Sequence, residues 1–251
     1  MSMEKFLFLD LDDTVFQTAR KCVSIKGALP ASYNLSGDVS SYFLPKQHCL
    51  LQELSKQWRI IPTTARTLAS YARVNLGINC YDGAILNHGA TILCAAEKED
   101  LLWRSEIESS LRHLSPLLFQ IKQNINTYLS TKNMPMQVRI TTELNLDYYI
   151  EVRHLQKNAI QLQKLLSDYI NPLLLEYKDF QVYLNNNSLT ILPLCVNKSH
   201  AVEYKIESLE KQYGEILTMG VGDSLSDLPF MGLCDYIMTP KNTQIHNHLL
   251  V

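Results

Sequence analysis

Several features that would assign a chain to a class at once are missing from this sequence. Its apolar runs fall far short of the roughly 20 residues needed to span a bilayer, and no basic segment followed by a long apolar stretch opens it. The six cysteines are far apart and lack a Cys-x-x-Cys pair, which argues against a zinc site or a redox pair. Lysine and arginine are scattered, and the net charge is −2. We therefore expect a cytoplasmic protein with free thiols, and neither a membrane nor a nucleic acid as partner.

The composition that is present favours a globular protein. With 251 residues, of which 46% are hydrophobic, the chain can bury one substantial core or two smaller ones.

The first apolar segment ends in two carboxylates one residue apart. Residues 6–9 are typical of a strand buried on both faces, and Asp10 and Asp12 follow it. Parallel strands place functional side chains at their carboxyl ends, and side chains two residues apart on extended chain point the same way. Carboxylates that close repel each other, which favours a divalent cation or a shared proton. Residues 10–14 also fit a polar turn before a helix, and alone they leave both interpretations open.

Three later segments, each following an apolar run, carry further polar groups. They are Thr63-Thr64-Ala65-Arg66, Asn197-Lys198-Ser199 and Gly222-Asp223-Ser224-Leu225-Ser226-Asp227. In this order, and with Asp-Leu-Asp-Asp-Thr at residues 10–14, they resemble the four motifs of the haloacid dehalogenase superfamily of phosphohydrolases. Single motifs of this length recur by chance, but four in order after strand-like segments seldom do.

The two ends of the chain predict a parallel α/β core. Strand and helix signals alternate over residues 59–76 and again over 198–251, which is typical of a doubly wound, mostly parallel, Rossmann-like sheet. Residues 15–45 show no sustained period and are interpreted as a long flap or loop. The predicted core consists of residues 1–80 and 194–251.

The middle of the chain differs in pattern and predicts a second domain. Short strands joined by turns, including one at residues 185–187, alternate with two helices, one of which is interrupted at Pro116. We expect an inserted α+β cap domain at residues 81–193, with an antiparallel sheet and helices on one face. This arrangement resembles the type-two (IIB, Cof-like) cap branch, which includes sucrose-phosphate and mannosyl-3-phosphoglycerate phosphatases.

The resemblance implies roles for the motif residues. Asp10 is implied as the nucleophile that forms an aspartyl-phosphate, and Asp12 as the general acid and base. Lys198 is implied to neutralise the phosphoryl charge. Thr64 is implied to bind the phosphoryl group, and Thr63 competes with it because a slip of one residue changes which hydroxyl faces the site.

The resemblance also implies a Mg²⁺ cofactor. Its expected ligands are Asp10, Asp223 and the backbone carbonyl of Asp12, with Asp227 binding directly or through water. Asp227 also fits a helix cap that only braces the metal site. The sequence departs from the family pattern at Ala65, Ser199 and Ser226, none of which removes a group that the mechanism needs.

Groups that recognise the leaving alcohol are expected near or within the cap. The candidates are Asn87, His88, Arg139 and Arg153, each of which also fits an ordinary surface or packing residue. The leading interpretation is a Mg²⁺-dependent phosphatase for a small phosphorylated metabolite of the sugar-phosphate type, monomeric or weakly dimeric. A phosphomutase of the phosphomannomutase type and a non-catalytic binding protein are the alternatives.

Overall fold

The structure is a computed structural model that describes residues 3–22, 24–95, 98–185 and 188–250. It divides into two compact units, of which the first contains residues 1–103 and 197–251 and the second residues 104–196. Of the turn predicted at residues 185–187, positions 186 and 187 lie outside the described residues. Among the described helices, none has both the length and the apolar composition needed to cross a membrane.

The first unit is built from strands and helices at both ends of the chain. Its elements are β1 (Glu4–Leu9), β2 (Gln17–Thr18), β3 (Leu29–Tyr33), β4 (Val39–Phe43), α1 (Pro45–Ser55), β5 (Arg59–Pro62), α2 (Leu68–Tyr71), β6 (Ala84–Leu86) and β7 (Thr91–Leu93). After the second unit come α6 (Lys198–Tyr213), β12 (Ile216–Val221), α7 (Leu228–Met231), β13 (Tyr236–Met238) and α8 (Gln244–Leu249).

The second unit takes its elements from the middle of the chain. They are α3 (Leu101–Thr131), which starts in the first unit, β8 (Met136–Glu143), β9 (Leu146–His154), α4 (Ala159–Leu165), α5 (Asn171–Leu174), β10 (Phe180–Asn185) and β11 (Ser188–Pro193).

A parallel sheet forms the centre of the first unit. Its order is β13-β12-β1-β5, so the first strand of the chain is an inner strand with a parallel neighbour on each side. The four side chains of residues 6–9 are completely buried, as expected for a strand covered on both faces. The predicted parallel α/β core is confirmed, and its carboxyl edge collects the residues that follow each strand.

The second unit is an antiparallel sheet in the order β10-β11-β9-β8. Apolar side chains of α3 and α4, such as Ile121 and Leu162, form one buried core with Ile150 and Val152 of β9. This confirms the predicted α+β architecture, in which helices cover one face of the sheet. The predicted interruption at Pro116 is wrong, because α3 is a single helix through that position.

The boundary between the units lies further along the chain than the predicted position 81. Residues 81–103 group with the first unit. An isolated bridge links Ile85 of β6 to the residues after β5, and the Ile85 carbonyl accepts from the Thr64 amide at 2.8 Å. The turn after β6 also abuts the start of α6, where a Cβ on Gly89 would lie 2.3 Å from the Asn197 carbonyl oxygen. Tertiary contacts, which a change in sequence pattern does not reveal, therefore hold this hairpin in the first unit.

Residues 15–22 and 24–45 are more ordered than the predicted flap. Strands β2, β4 and β3 form a three-stranded antiparallel sheet in that order, and Phe16 and Phe43 pack edge to face in its core. Short strands rich in Ser, Pro and Tyr lack the alternation of apolar residues that identifies a strand from sequence. The helix signal within residues 59–76 likewise corresponds only to the short helix α2, which begins after the cap residue Thr67.

Candidate active site

The carboxyl edge of the parallel sheet brings together residues from three distant parts of the chain. Asp10 follows β1, and its amide donates to the Val221 carbonyl at the end of β12, 2.9 Å away. Thr63 follows β5, and its amide donates to the Leu9 carbonyl at 2.7 Å. These two hydrogen bonds extend the sheet register by one residue on each side of β1, so the polar residues that come next leave the sheet together.

Three carboxylates meet at this edge. Oxygen atoms of Asp10, Asp223 and Asp227 all lie within 4.8 Å of one another. Asp10 and Asp227 are buried, and Asp223 is partly exposed. The Thr14 hydroxyl donates to Asp10 Oδ2 at 2.8 Å and is 3.4 Å from Asp223 Oδ1, so it ties the first strand to the loop after β12.

Lys198 supplies the positive charge of this cluster. It is the first residue of α6, whose preceding residue Asn197 caps the helix by accepting from the Ser199 amide at 2.8 Å. The Lys198 ammonium is 2.7 Å from both Asp10 Oδ1 and Asp227 Oδ1, and it is only 8% exposed. A lysine in such surroundings is fixed by two buried ion pairs, unlike the solvated lysines common at helix starts.

Two glycines let the end of β12 and the loop after it approach α7 and its cap residue Asp227 closely. A Cβ on Gly222 would lie 2.7 Å from Asp227 Cβ, and one on Gly220 would lie 2.7 Å from Met231 Cα. The Ser224 amide and hydroxyl both donate to Asp227 Oδ2, at 3.1 and 2.6 Å. With Lys198 on the other oxygen, the Asp227 carboxylate is held in one orientation.

The electrostatics of the cluster reflect burial and an excess of negative charge. Burial, opposed by Lys198 and reinforced by Asp227 and Asp223, raises the pKa of Asp10 to about 8. Burial and the negative charges of Asp227 and Asp13 raise the pKa of Asp223 to about 7. Burial also opposes ionisation of Asp227, yet Lys198 and Ser224 keep its pKa below the ordinary value. Similarly, the neighbouring carboxylates raise the pKa of Lys198 against the effect of burial.

The donor set fits a divalent cation with oxygen ligands. Three carboxylates share one buried ammonium, so when all three are ionised this ammonium does not balance their charge. A hard cation such as Mg²⁺ takes carboxylate ligands and retains several waters, so Asp10 and Asp223, with Asp227 beside them, provide enough protein ligands. The predicted contribution of the Asp12 carbonyl stays a prediction.

The Asp12 side chain lies in a different environment from the three clustered carboxylates. Its two oxygens accept from Arg66 Nε and Nη2, at 2.7 and 2.8 Å, and the side chain is 47% exposed. The next residue, Asp13, has a φ of +64° and pairs with Lys21. Arg66 is the functional candidate that sequence analysis passed over, because nothing but its place two residues after Thr64 distinguishes it from other arginines.

The two threonines after β5 differ in what their hydroxyls do. Thr63 donates its hydroxyl to the Ile61 carbonyl of its own strand at 3.2 Å. The Thr64 oxygen accepts from the Arg66 amide at 3.2 Å, which leaves its own proton for another acceptor. Both side chains are buried. This arrangement supports the prediction of Thr64 over Thr63 as the phosphoryl-binding residue.

The turn between β6 and β7 carries two of the predicted substrate residues. Asn87 and His88 both have positive φ, at +51° and +57°. Asn87 is completely buried and its amide is 3.1 Å from the Thr91 hydroxyl, so its side chain supports the turn. His88 is partly exposed, and burial together with the Lys198 charge lowers its pKa to about 3. His88 is therefore a neutral imidazole in the electrostatic field of the cluster.

The other two predicted substrate residues lie in the second unit. Arg139 on β8 and Arg153 on β9 both bind the buried carboxylate of Glu151, with Nε to oxygen distances of 2.7 and 2.6 Å. Each arginine side chain is about half exposed. Glu151 thus fixes two cationic groups side by side on the face of the sheet opposite the helices.

Comparison with known proteins identifies the fold of the chain. No family model and no curated protein matches the sequence. Among solved structures, sucrose-phosphatase from Synechocystis sp. PCC6803, in complex with sucrose and phosphate, matches with a TM-score of 0.56 and 15% identity, covering 99% of this chain and 96% of that one.

Two further structures agree. A trehalose-6-phosphate phosphatase related protein matches with a TM-score of 0.54 and 17% identity, over 96% of this chain and 89% of the other. The C-terminal domain of trehalose-6-phosphate phosphatase from C. albicans matches with a TM-score of 0.53 and 16% identity, over 92% of this chain and 74% of the other. The chain therefore has the fold of these phosphatases, which confirms the fold that the resemblance to type-two capped haloacid dehalogenases implied.

Proposed function

We propose that this protein is a Mg²⁺-dependent phosphatase that hydrolyses a small phosphorylated metabolite of the sugar-phosphate class. The observation that carries the proposal is the buried ammonium of Lys198, at 2.7 Å from both Asp10 and Asp227. A site that holds three carboxylates and a lysine within a few ångströms concentrates charge in a way that folding alone does not require. The solved structures of sugar-phosphate phosphatases with the same fold support this choice of reaction.

In the first chemical step Asp10 is the nucleophile. One of its oxygens attacks phosphorus, the bond from phosphorus to the leaving oxygen breaks, and Asp12 gives its proton to that oxygen. In the second step water attacks the aspartyl-phosphate, Asp12 takes the proton from the water, and the bond between Asp10 and phosphorus breaks. Asp10 is buried and held by Thr14 and Lys198, whereas Asp12 is half exposed, as a group that exchanges protons with substrate and water needs.

The remaining residues act on charge and orientation. Lys198 stabilises negative charge on the phosphoryl oxygens, and Thr64 donates its hydroxyl to one of them. Asp10 and Asp223, with Asp227 as third carboxylate, would hold Mg²⁺, which supplies charge compensation for the phosphoryl group when bound. Asp227 keeps Lys198 in place by its own ion pair.

The two arginines on Glu151 are proposed to recognise an anionic or hydroxylated part of the leaving group. Among the described residues each arginine binds Glu151 through Nε and Nη2, which leaves further N–H groups for hydrogen bonds to a ligand. A substrate panel should include phosphorylated sugar acids beside neutral sugar phosphates. The paired substitution of Arg139 and Arg153 by Gln should reduce kcat/KM for the acids selectively.

The test of the proposed function is magnesium-dependent release of inorganic phosphate. The protein is assayed on p-nitrophenyl phosphate and on a panel of sugar phosphates, with MgCl₂ and with EDTA. Asp10→Asn should abolish turnover without unfolding the protein, and Asp168→Asn, an exposed carboxylate in the second unit, serves as control. Undiminished activity of Asp10→Asn would refute the assignment of Asp10 as the nucleophile.

A phosphomutase would use the same aspartyl-phosphate but pass it to a second hydroxyl group. It would form an isomeric sugar phosphate when primed by a bisphosphate and release little inorganic phosphate. If neither inorganic phosphate nor an isomeric sugar phosphate is formed, a non-catalytic binding protein is favoured.

A further inference from the structure

The guanidinium of Arg66 binds Asp12 through both of its carboxylate oxygens. Nε is 2.7 Å from Oδ2 and Nη2 is 2.8 Å from Oδ1, the parallel pairing that fixes the plane of a carboxylate as well as its position. Asp12 is the only proton-transfer group that the proposed reaction uses, and its side chain is 47% exposed. An exposed aspartate without such a partner would occupy several rotamers.

The arginine is the fixed member of this pair. Its side chain is 15% exposed, and its guanidinium lies over the Phe16 ring, 5.3 Å from the ring centroid. Nη1 is 3.2 Å from the Ser70 hydroxyl, and Nη2 is 3.5 Å from the Ser32 hydroxyl. A guanidinium with contacts on its face and along its edge has little freedom to move, so it determines where the carboxylate lies.

The three-stranded sheet formed by β2, β3 and β4 contributes to this pocket. Ser32 belongs to β3, and its hydroxyl is 2.8 Å from the hydroxyl of Ser40 on β4. Phe16 immediately precedes β2 and packs on Phe43 of β4. This three-stranded sheet therefore forms one wall of the pocket that holds Arg66.

We propose that Arg66 is the positioning residue for proton transfer by Asp12, an inference that rests on the proposed phosphatase function. In the first step the proton sits on one oxygen of Asp12 and passes to the leaving oxygen, while the other oxygen still accepts from Arg66. In the second step the Asp12 carboxylate takes a proton from water and accepts from Arg66 as before. The arginine neither gains nor loses a proton. It acts by keeping the Asp12 carboxylate within reach of the leaving oxygen and of the attacking water.

This role predicts a dependence on the leaving group that a purely structural arginine would not produce. An alkoxide must be protonated as it departs, whereas 2,4-dinitrophenolate leaves without a proton. The ratio kcat/KM includes only the steps up to departure of the leaving group, so for the dinitrophenyl ester it does not depend on Asp12. Loss of positioning should therefore reduce kcat/KM for a sugar phosphate and spare it for 2,4-dinitrophenyl phosphate.

The experiment compares Arg66→Gln, Arg66→Lys and Arg73→Gln on these two substrates. Because general acid catalysis is worth about 10²–10⁴-fold, we expect Arg66→Gln to lower kcat/KM on the order of 10²-fold for the sugar phosphate. The loss should stay within about 3-fold for the dinitrophenyl ester, and a burst of dinitrophenolate should precede slow hydrolysis of the aspartyl-phosphate. Arg66→Lys keeps the charge without the paired geometry and should give an intermediate loss of the same selectivity.

Arg73 is a matched control from the same region. It binds the Tyr33 and Ala69 carbonyls and no carboxylate in the described part of the chain, so Arg73→Gln should affect both substrates alike and little. Equal losses on both substrates in Arg66→Gln and Arg66→Lys would overturn the proposal, because they indicate a role in folding or in phosphate binding. If the unmodified protein hydrolyses neither ester in MgCl₂, the proposed function itself fails, which is a different result.

Discussion

Substitution of Asp223 by Asn tests the charge excess at the carboxyl edge of the sheet. Asn has nearly the same shape and can still accept the long hydrogen bond from Thr14, 3.4 Å away. The change removes one negative charge from a group of three carboxylates that share one buried lysine. We therefore expect Asp223→Asn to stabilise the metal-free protein near pH 8 and to weaken stabilisation by Mg²⁺.

The size of the effect follows from the pKa of Asp223. Burial and nearby charges raise it from 3.8 to about 7. At about 1.4 kcal/mol for each pH unit, this difference corresponds to about 4 kcal/mol; because Asp223 is partly exposed, solvent screening reduces the expected gain to about 1–2 kcal/mol. For a protein of this size, the melting temperature should rise by about 2–8 °C.

The sign depends on pH. Since the folded pKa of Asp223 is above its unfolded value, its contribution to stability is complete below about pH 4 and is lost as the pH rises through about 7. The substitution should therefore matter near pH 8 and have little effect near pH 4. In the proposed site Mg²⁺ binds the folded state through this carboxylate, so at 100 times the dissociation constant it should add about 2.7 kcal/mol to the unmodified protein and clearly less to the variant.

The assay measures melting temperatures of the variant and the unmodified protein in EDTA and in MgCl₂, each near pH 4 and near pH 8. Asp168→Asn, which removes an exposed charge in the second unit, is the control for the change in net charge. The reasoning is refuted if Asp223→Asn melts below the unmodified protein near pH 8 in EDTA and if MgCl₂ raises both melting temperatures equally.

Three further predictions concern single side chains of the site. Lys198→Met should abolish phosphate release and destabilise the protein by about 3–5 kcal/mol near pH 8, because it leaves buried carboxylates unpaired; denaturant unfolding that shows no loss would contradict the ion pairs. Gly222→Ala should lower both stability and magnesium affinity, since its Cβ would lie 2.7 Å from Asp227 Cβ, and wild-type melting would argue against this close approach. Thr64→Val should reduce kcat/KM for phosphate release by about 10-fold or more, whereas Thr63→Val should chiefly reduce stability; the reverse pattern would exchange their roles.

The parallel core was predictable because its inner strands, β1 and β12, are short, largely apolar and mostly buried. The alternation of strand and helix signals predicted over residues 59–76 and 198–251 corresponds to strands β5, β12 and β13 and to helices such as α6, and changes from apolar to polar residues or a helix cap mark these elements. The strands β2, β3 and β4 were not predicted because they lack an alternating apolar pattern of their own. They are held together by the contact between Phe16 and Phe43 and by backbone pairing between the strands.

The sequence by itself was enough to name the candidate site residues. Carboxylates at residues 10, 12, 223 and 227, a lysine at 198 and hydroxyls at 63 and 64 each follow a strand or begin a helix, and local patterns suffice to detect that. The order of these residues was enough to predict one shared edge of a parallel sheet, because all parallel strands end on the same side.

Tertiary structure decided which groups meet and which are kept apart. It placed Lys198 between Asp10 and Asp227 and paired Asp12 with Arg66, although only one residue separates Asp10 from Asp12 on the chain. It also assigned residues 81–103 to the first unit. These outcomes depend on distances between segments up to about 200 residues apart, such as Thr14 and Asp223 with a separation of 209. Local sequence patterns do not predict such distances, because the packing of the whole sheet determines them.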